Sequence, residues 1–344
     1  SLDYTAAAVG KWHLTTFNEE GAAVHPNEQG FSYYAGSLGN PGSSMQAASQ
    51  DKSYEYWEKV TNGVLTWETT YMVTDTADDA ISQLQSLPEP WFLYASFNGA
   101  HAPHHVPPSA LTTTATNGLS SDVKKYNAMV EATDAEIGRM LASIPADVLA
   151  RTTIIYLSDN GTPRQVIESP WSPQWGKGSL REAGVNVPMI VTGPLVNEPG
   201  RTSTALVNLV DVFPTVAEIA QVPLGRSDRS SPLYGLTLDG VSFLSQLQEP
   251  DAAAVRATAY AEKFYPNGTA NPIYHHRMIT DGQWKLIRKD EGTARQEELY
   301  LLQDTGLEGA DRMETRGDNP AAAEAYDRLS AELDAHSESM RFAH

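Results

Sequence analysis

Apolar residues in this chain fall into two patterns, and the two predict different elements. Short unbroken runs at Trp91 to Phe97, Thr153 to Leu157 and Val187 to Val191 predict buried strands. A shorter strand-like run at the start, Tyr4 to Val9, leads straight into Gly10-Lys11. Between Asp122 and Ile144 the apolar positions are spaced instead: Tyr126, Val130, Ile137, Met140, Leu141 and Ile144, with Thr133 on the same stripe. That spacing predicts an amphipathic helix, with Asp134 and Glu136 as solvated charges on its outer face. A second helix is expected from a cap at Thr74 or Asp75 through Ile81, Leu84 and Leu87, ended by Pro88 and Pro90. A third spans Leu206 to Ala220, with Asp211 and Pro214 near its start. Strands alternating with helices favour a parallel sheet joined by crossover helices.

Other stretches break this rhythm. Asn18 to Gly42 is rich in Gly, Pro and Asn around Phe31, Tyr33 and Tyr34, and reads as a long loop. Tyr54 to Thr70 alternates and predicts a hairpin turning at Asn62-Gly63. Composition shifts after Leu244. Asp251 to Ala259 is alanine-rich and polar, Pro266 to Pro272 is a turn cluster, and strand-length runs follow at Tyr274 to Thr280, Trp284 to Arg288 and Glu298 to Leu302. With Asp281-Gly282 as a hairpin turn, these form a small antiparallel sheet. A final helix, Pro320 to Ser337, places Ala323, Tyr326, Leu329 and Leu333 on one face. The expected organisation is a main α/β domain over residues 1–245 and a C-terminal α+β subdomain over 246–344.

Composition narrows the function classes. Lys and Arg number 24 against 43 Asp and Glu, a net charge of −19. Nucleic-acid backbones are bound by clustered Lys and Arg, so this balance argues against such a partner and favours a self-repelling, soluble surface. Cysteine is absent, which excludes disulfides, thiolate metal sites and a cysteine nucleophile within these residues. No apolar run approaches the roughly 18 residues that span a bilayer, so no membrane partner is expected.

The candidate chemistry lies at strand ends, where open α/β sheets hold ligands. The first strand delivers Lys11 and His13. Trp91 to Phe97 empties into Asn98-Gly99-Ala100-His101-Ala102-Pro103-His104-His105, with three histidines in five positions but no structural-zinc spacing. His101, nearest the strand, is the functional candidate; His104 and His105 read equally well as packed loop residues. Ile154 to Leu157 ends in Ser158-Asp159-Asn160-Gly161, adjacent oxygen ligands that suit a hard cation. Lys177, between Gly176 and Gly178, suits an anion. Such a set can neutralise a tetrahedral oxyanion while a leaving oxygen is protonated.

These segments together resemble the type I sulfatases of the alkaline phosphatase superfamily. Gly10-Lys11-Trp12-His13-Leu14 looks like the family's second signature, and Phe92 to Pro103 like its strand-plus-histidine segment. Ser158-Asp159-Asn160-Gly161 with Lys177-Gly178-Ser179-Leu180-Arg181-Glu182-Ala183-Gly184 resembles its metal and sulfate-lysine segment. Val210 to Thr215 and Thr280 to Ile287 resemble later landmarks, so the likeness runs to about Leu302. The resemblance implies an alkaline-phosphatase-like α/β fold, a mostly parallel sheet flanked by helices with a small C-terminal antiparallel sheet and terminal helix. It implies hydrolysis of a small-molecule or sugar sulfate ester, or in the same superfamily of a phosphonate monoester or phosphodiester. It assigns Asp159 and Asn160 to a divalent cation, usually Ca²⁺, with Mg²⁺ or Mn²⁺ as alternatives. Lys11 and His13 serve a formylglycine nucleophile, and His101 and Lys177 contact sulfate oxygens and the leaving oxygen, one of them as general acid. A periplasmic or secreted location goes with it.

The family also places an Asp-Asp metal pair and a Cys- or Ser-x-Pro-x-Arg nucleophile segment at its front, and neither occurs here. Thr162-Pro163-Arg164 lies on the wrong side of the metal pair to serve. Three expectations compete: most of a sulfatase whose N-terminal segment lies elsewhere, even on a separate partner chain; a relative with a changed substrate; or a non-catalytic remnant that binds anions. This chain alone is expected to be inactive.

Overall fold

The computed structural model describes residues 3–16, 19–42, 53–115, 117–224, 238–266, 272–302 and 306–341. It divides into two compact units, Ser1–Arg151 and Thr152–His344.

The first unit is built on β1 (Thr5–Gly10), whose Ala7, Ala8 and Val9 are buried. Its neighbours β2 (Tyr33–Gly36) and β5 (Trp91–Ser96) both run parallel to it, with Val9 opposite Ala35 and Ala95. The hairpin of β3 (Trp57–Thr61) and β4 (Val64–Glu68) turns at Asn62-Gly63 as its alternation predicts, and extends the sheet antiparallel in the order β4-β3-β2-β1-β5. The stretch from 18 to 42 therefore holds a sheet strand where the sequence suggested only a loop. Its Gly and Asn content hid a run whose Tyr34 and Ala35 are fully buried. Asn18 and residues 43–52 of the neighbouring segment lie outside the described residues.

Two helices, Met72–Ser86 and Asp122–Ala142, pack through Met72, Val73 and Met129 against Tyr54, Trp57 and Tyr71. Neither Thr74 nor Asp75 caps the first helix, which starts after Tyr71. Asp75 instead pairs with buried Lys59 at 2.7 Å, and burial pushes its carboxyl up to about 6. Thr74 donates to Glu136 at 2.7 Å. Glu136 is thus not a solvated charge: it is 1% exposed and also accepts from Arg139 Nε at 2.6 Å. The buried stripe of the second helix runs through Ala128, Met129, Ala132 and Thr133, while Val130 faces out. Small residues win that face because the helix approaches backbone. A Cβ on Gly99 would stand 2.1 Å from Thr133 Oγ1.

In the second unit, β6 (Ile154–Leu157) pairs with β7 (Met189–Thr192) antiparallel, Ile154 opposite Thr192. A parallel pair was expected, but parallel strands need a crossover of a dozen or more residues that spans the sheet. Between these strands only short 3₁₀ turns and the four-residue helix Glu182–Val185 occur. Nor is β6 buried throughout: Tyr156 and its cross-strand partner Ile190 are 43% and 61% exposed. Beyond them, β8 (Ala259–Tyr265), β9 (Tyr274–Thr280), β10 (Trp284–Glu291) and β11 (Ala294–Leu301) form the small antiparallel sheet, ordered β11-β10-β9-β8. The strand β8 had no clear sequence signal. Residues 267–271 of the expected turn cluster lie outside the described residues. The helix Pro320–Arg341 covers one face of this sheet, burying Ala322, Ala325, Leu329 and Leu333 against Ile279, Trp284, Leu286 and Leu299. No helix among the described residues is long and apolar enough to cross a membrane.

Candidate active site

The parallel pairing of β1 and β5 brings their carboxyl ends side by side; Lys11 and His13 follow β1, and His101 lies on the loop after β5. The junction is tight. Gly10 adopts φ +89°, a Cβ there would lie 2.0 Å from Ser96 O, and the Lys11 amide bonds that same carbonyl at 2.8 Å. Trp12 anchors the segment. It is buried, its Nε1 donates to His25 Nδ1 at 2.9 Å, and Phe31 and Tyr34 meet it edge-on. That leaves Lys11 half-buried and His13 exposed on either side of the anchor. His13 holds φ +54°, a region costly for a non-glycine residue and often found at functional sites. Its amide is fastened to Leu38 O at 3.0 Å.

The loop after β5 is held from inside by Tyr54, a residue with no motif around it. Its hydroxyl lies 2.6 Å from the Asn98 carbonyl and 2.7 Å from the His101 carbonyl, so one proton serves both acceptors. Burial pushes this phenol's pKa up, which keeps it a donor. Asn98 is 3% exposed and exchanges hydrogen bonds with Ser37 across the strand ends. His101 Nδ1 lies 2.7 Å from Ala102 O. His105 is packed, its ring 4.4 Å from that of Tyr54 and its Nε2 3.1 Å from Tyr71 OH, and burial lowers its pKa. His104 meets Tyr126 edge-on, with its Nδ1 4.0 Å from Asp122. Sequence reasoning passed over Tyr54 and Asn98. An Asn directly after an apolar strand was the one available signal; for Tyr54 there was none.

In the second unit, Asp159, Asn160 and Lys177 lie on one loop stitched to itself. Gly161 N bonds Gly184 O at 3.1 Å and Lys177 N bonds Thr162 O at 2.8 Å. A Cβ on Gly161 would come within 2.0 Å of Ala183 O, so only glycine permits the first of these approaches. Asp159 is exposed, and Asn160 Nδ2 donates to Gly161 O at 3.0 Å, which leaves Asn160 Oδ1 as the amide atom for a cation. A carboxylate beside an amide oxygen is a donor set a hard cation accepts, so the two fit part of such a site. No group of three or more acidic or histidine side chains able to hold a metal occurs among the described residues. Lys177 has no carboxylate partner among the described residues. Its carbonyl is held by Arg164 Nε at 3.2 Å.

The neighbouring motif residues do other work. Glu182 and Glu308 flank the fully buried Lys285 ammonium, with Glu308 Oε1 at 3.1 Å and also 2.6 Å from Glu182 N. Arg181 pairs with Glu298 at 3.1 Å and lies 4.1 Å over the Tyr300 ring. Asp211, fully buried, accepts from Arg256 Nε at 2.6 Å, Val241 N at 2.7 Å and Asn208 N at 2.8 Å.

Comparison with known proteins bears on the family and the fold. The sulfatase YdeN of Escherichia coli K12 is 26% identical over 292 residues, covering 76% of this chain and 49% of its own length. This chain thus spans about half of that relative. Among solved structures, Ps i-CgsB superposes with a TM-score of 0.76 at 22% identity, covering 98% of this chain and 72% of the other. BT4656 in complex with its substrate D-glucosamine-2-N,6-O-disulfate gives 0.70 at 18% identity, covering 99% and 80%. Both likenesses show the alkaline-phosphatase-like α/β fold. The sulfatase family model matches residues 1–222, nearly two thirds of the sequence, and this chain belongs to the sulfatase family.

Proposed function

We propose that this chain is part of a sulfuric ester hydrolase that acts on a small-molecule or sugar sulfate ester and uses a hard divalent cation, calcium first. Lys177 carries the reading. In a chain with net charge −19 it is a half-buried lysine without a carboxylate partner among the described residues, on the same loop as Asp159 and Asn160. Asp159 and Asn160 Oδ1 would hold the cation, which when bound neutralises sulfate oxygens as a Lewis acid. Lys177 and His101 each offer N–H donors to sulfate oxygens, and one of them gives the leaving oxygen its proton. Lys11 offers positive charge, and His13 a hydrogen bond, to a formylglycine nucleophile outside this chain. The sulfated glucosamine bound by BT4656 supports a sugar sulfate as substrate. A periplasmic or secreted location goes with the reading.

The test is turnover by the parent protein, assayed in parallel on an aryl sulfate and an aryl phosphonate. Faster sulfate ester hydrolysis is expected, and a preference for the phosphonate would overturn the assignment. For the cation, calorimetry on this chain should give weak Ca²⁺ binding, with Kd about 10⁻⁴–10⁻³ M, because two oxygens are far short of the roughly 6–8 that Ca²⁺ takes. Asp159→Asn should weaken it further. Tight binding would mean the ligands have been misassigned.

A further inference from the structure

Arg164 and Lys263 reach the same exposed glycine, Gly178, from different elements of the second unit. Arg164 stands on the 3₁₀ turn Arg164–Val166 and Lys263 on β8. Arg164 Nε donates to Lys177 O at 3.2 Å, and the Lys263 ammonium donates to Gly178 O at 2.9 Å. Gly178 holds φ +81°, and a Cβ built on it would meet only Arg164 Nη2 among the described residues, at 4.0 Å, so open space lies over it. Neither cation has a carboxylate partner among the described residues. Glu291, opposite Tyr274 in the sheet, is taken by His276 at 2.9 Å. Like charges drawn to one residue repel, and a chain of net charge −19 leaves this pair uncompensated. Each bonds a carbonyl through one donor, so the outer guanidinium nitrogens and the remaining ammonium protons are available. An aromatic pair adjoins them. Lys263 Nζ lies 5.6 Å from the centre of the Tyr274 ring, and Tyr265, 56% exposed, stacks on Tyr274 at 6.0 Å with the planes 19° apart.

We propose that the notch over Gly178 is a second anion subsite, one residue along from Lys177, for an oxyanion borne on the sugar of the ester. The proposal rests on the hydrolase reading and narrows its substrate to an oligosaccharide that carries further sulfates or carboxylates. The Arg164 guanidinium supplies paired N–H groups that match the oxygens of either anion, and the Lys263 ammonium adds a point charge. An anion between them offsets the repulsion that the free protein leaves standing. Tyr265 presents an apolar ring face with a polar edge, a surface suited to an amphipathic sugar ring. Glycine keeps the notch open, because a side chain at this φ would be strained as well as in the way.

Isothermal titration calorimetry of this chain with sucrose octasulfate, glucose 6-sulfate and trigalacturonate tests the subsite without turnover. Sucrose octasulfate should bind at least about tenfold tighter than glucose 6-sulfate, which fills a single anion position. Arg164→Gln and Lys263→Gln should each weaken it about three- to tenfold, and Tyr265→Ala about two- to fivefold. Lys124→Gln, which removes an exposed positive charge from the first unit, should change affinity less than about twofold. Trigalacturonate binding that is lost with Arg164→Gln and Lys263→Gln would support the subsite with a carboxylate as its anion; binding of the octasulfate alone would support it with a sulfate. If Lys263→Gln fails to fold, Arg164→Gln decides. Equal affinity for octasulfate and glucose 6-sulfate, unchanged affinity in a folded Arg164→Gln variant, or an equal loss in Lys124→Gln would each overturn the subsite. Those outcomes leave the hydrolase reading to its own turnover assay, and a parent protein that cleaves no sulfate ester would fail that reading while the binding result stands.

Discussion

Lys177 and Lys285 belong to motif segments of the same unit and live in opposite surroundings. Lys285 lies on β10 with no exposed surface, its ammonium between Glu182 and Glu308. Lys177 is half-buried on a glycine-flanked loop, fastened through its backbone while its ammonium has no carboxylate partner among the described residues. Five positions separate Lys177 from Glu182, so one short motif run mixes a group committed to the fold with one left available. The difference is electrostatic. A charge taken out of water must be paired, whereas a charge left unpaired near the surface costs little and can meet an anion.

Five substitutions bear on this contrast. The largest effect should come from Lys285→Met, which strands two buried carboxylates. It should lower unfolding stability by about 3–5 kcal/mol, seen as a shift of the urea midpoint. An unmoved midpoint would remove the distinction between the two lysines. Lys177→Ala in the parent enzyme should do the reverse, lowering kcat about 10²–10³-fold while stability stays within about 0.5 kcal/mol. Unchanged kinetics would sink its role. Tyr54→Phe sits between the two classes, because its hydroxyl serves the Asn98 and His101 carbonyls. A stability loss of about 1–3 kcal/mol should accompany a smaller fall in kcat than His101→Ala produces. Equal loss from both would make Tyr54 more than a support.

The smallest effect concerns His105, whose pKa burial holds below the ordinary 6.5. The folded chain binds fewer protons than the unfolded chain in the window just under pH 6.5, so its stability should fall as the solution is acidified through that window. His105→Gln should flatten that part of the profile. An unchanged slope in denaturant titrations at several pH values would assign the effect to other groups.

Much of this was legible in linear order. The Asn62-Gly63 hairpin, the Asp281-Gly282 turn and the two long helices follow from turn chemistry and period. The strand-end positions of Lys11, His13, His101 and Asp159 follow from apolar runs that stop abruptly. What escaped had physical causes. Strand Tyr33–Gly36 looked like a loop because its buried face needs a neighbour to reveal it. Glu136 looked solvated because Thr74, which bonds it alongside Arg139 one turn on, reaches it only when two helices pack. The pairing of Ile154–Leu157 was misjudged because strand direction depends on how the intervening chain returns.

By itself the sequence determined the family, the kinds of element and the residue types placed at strand ends, because local period, turn residues and adjacent motifs act over a few positions. Only the tertiary structure decided which charges are buried and paired, which strands run antiparallel, and which side chains hold the loop after β5 from behind. Those outcomes depend on groups far apart in the chain, such as Lys285 with Glu182 or Tyr54 with His101. Desolvation prices each charge by its surroundings, and no local pattern records what those surroundings will be.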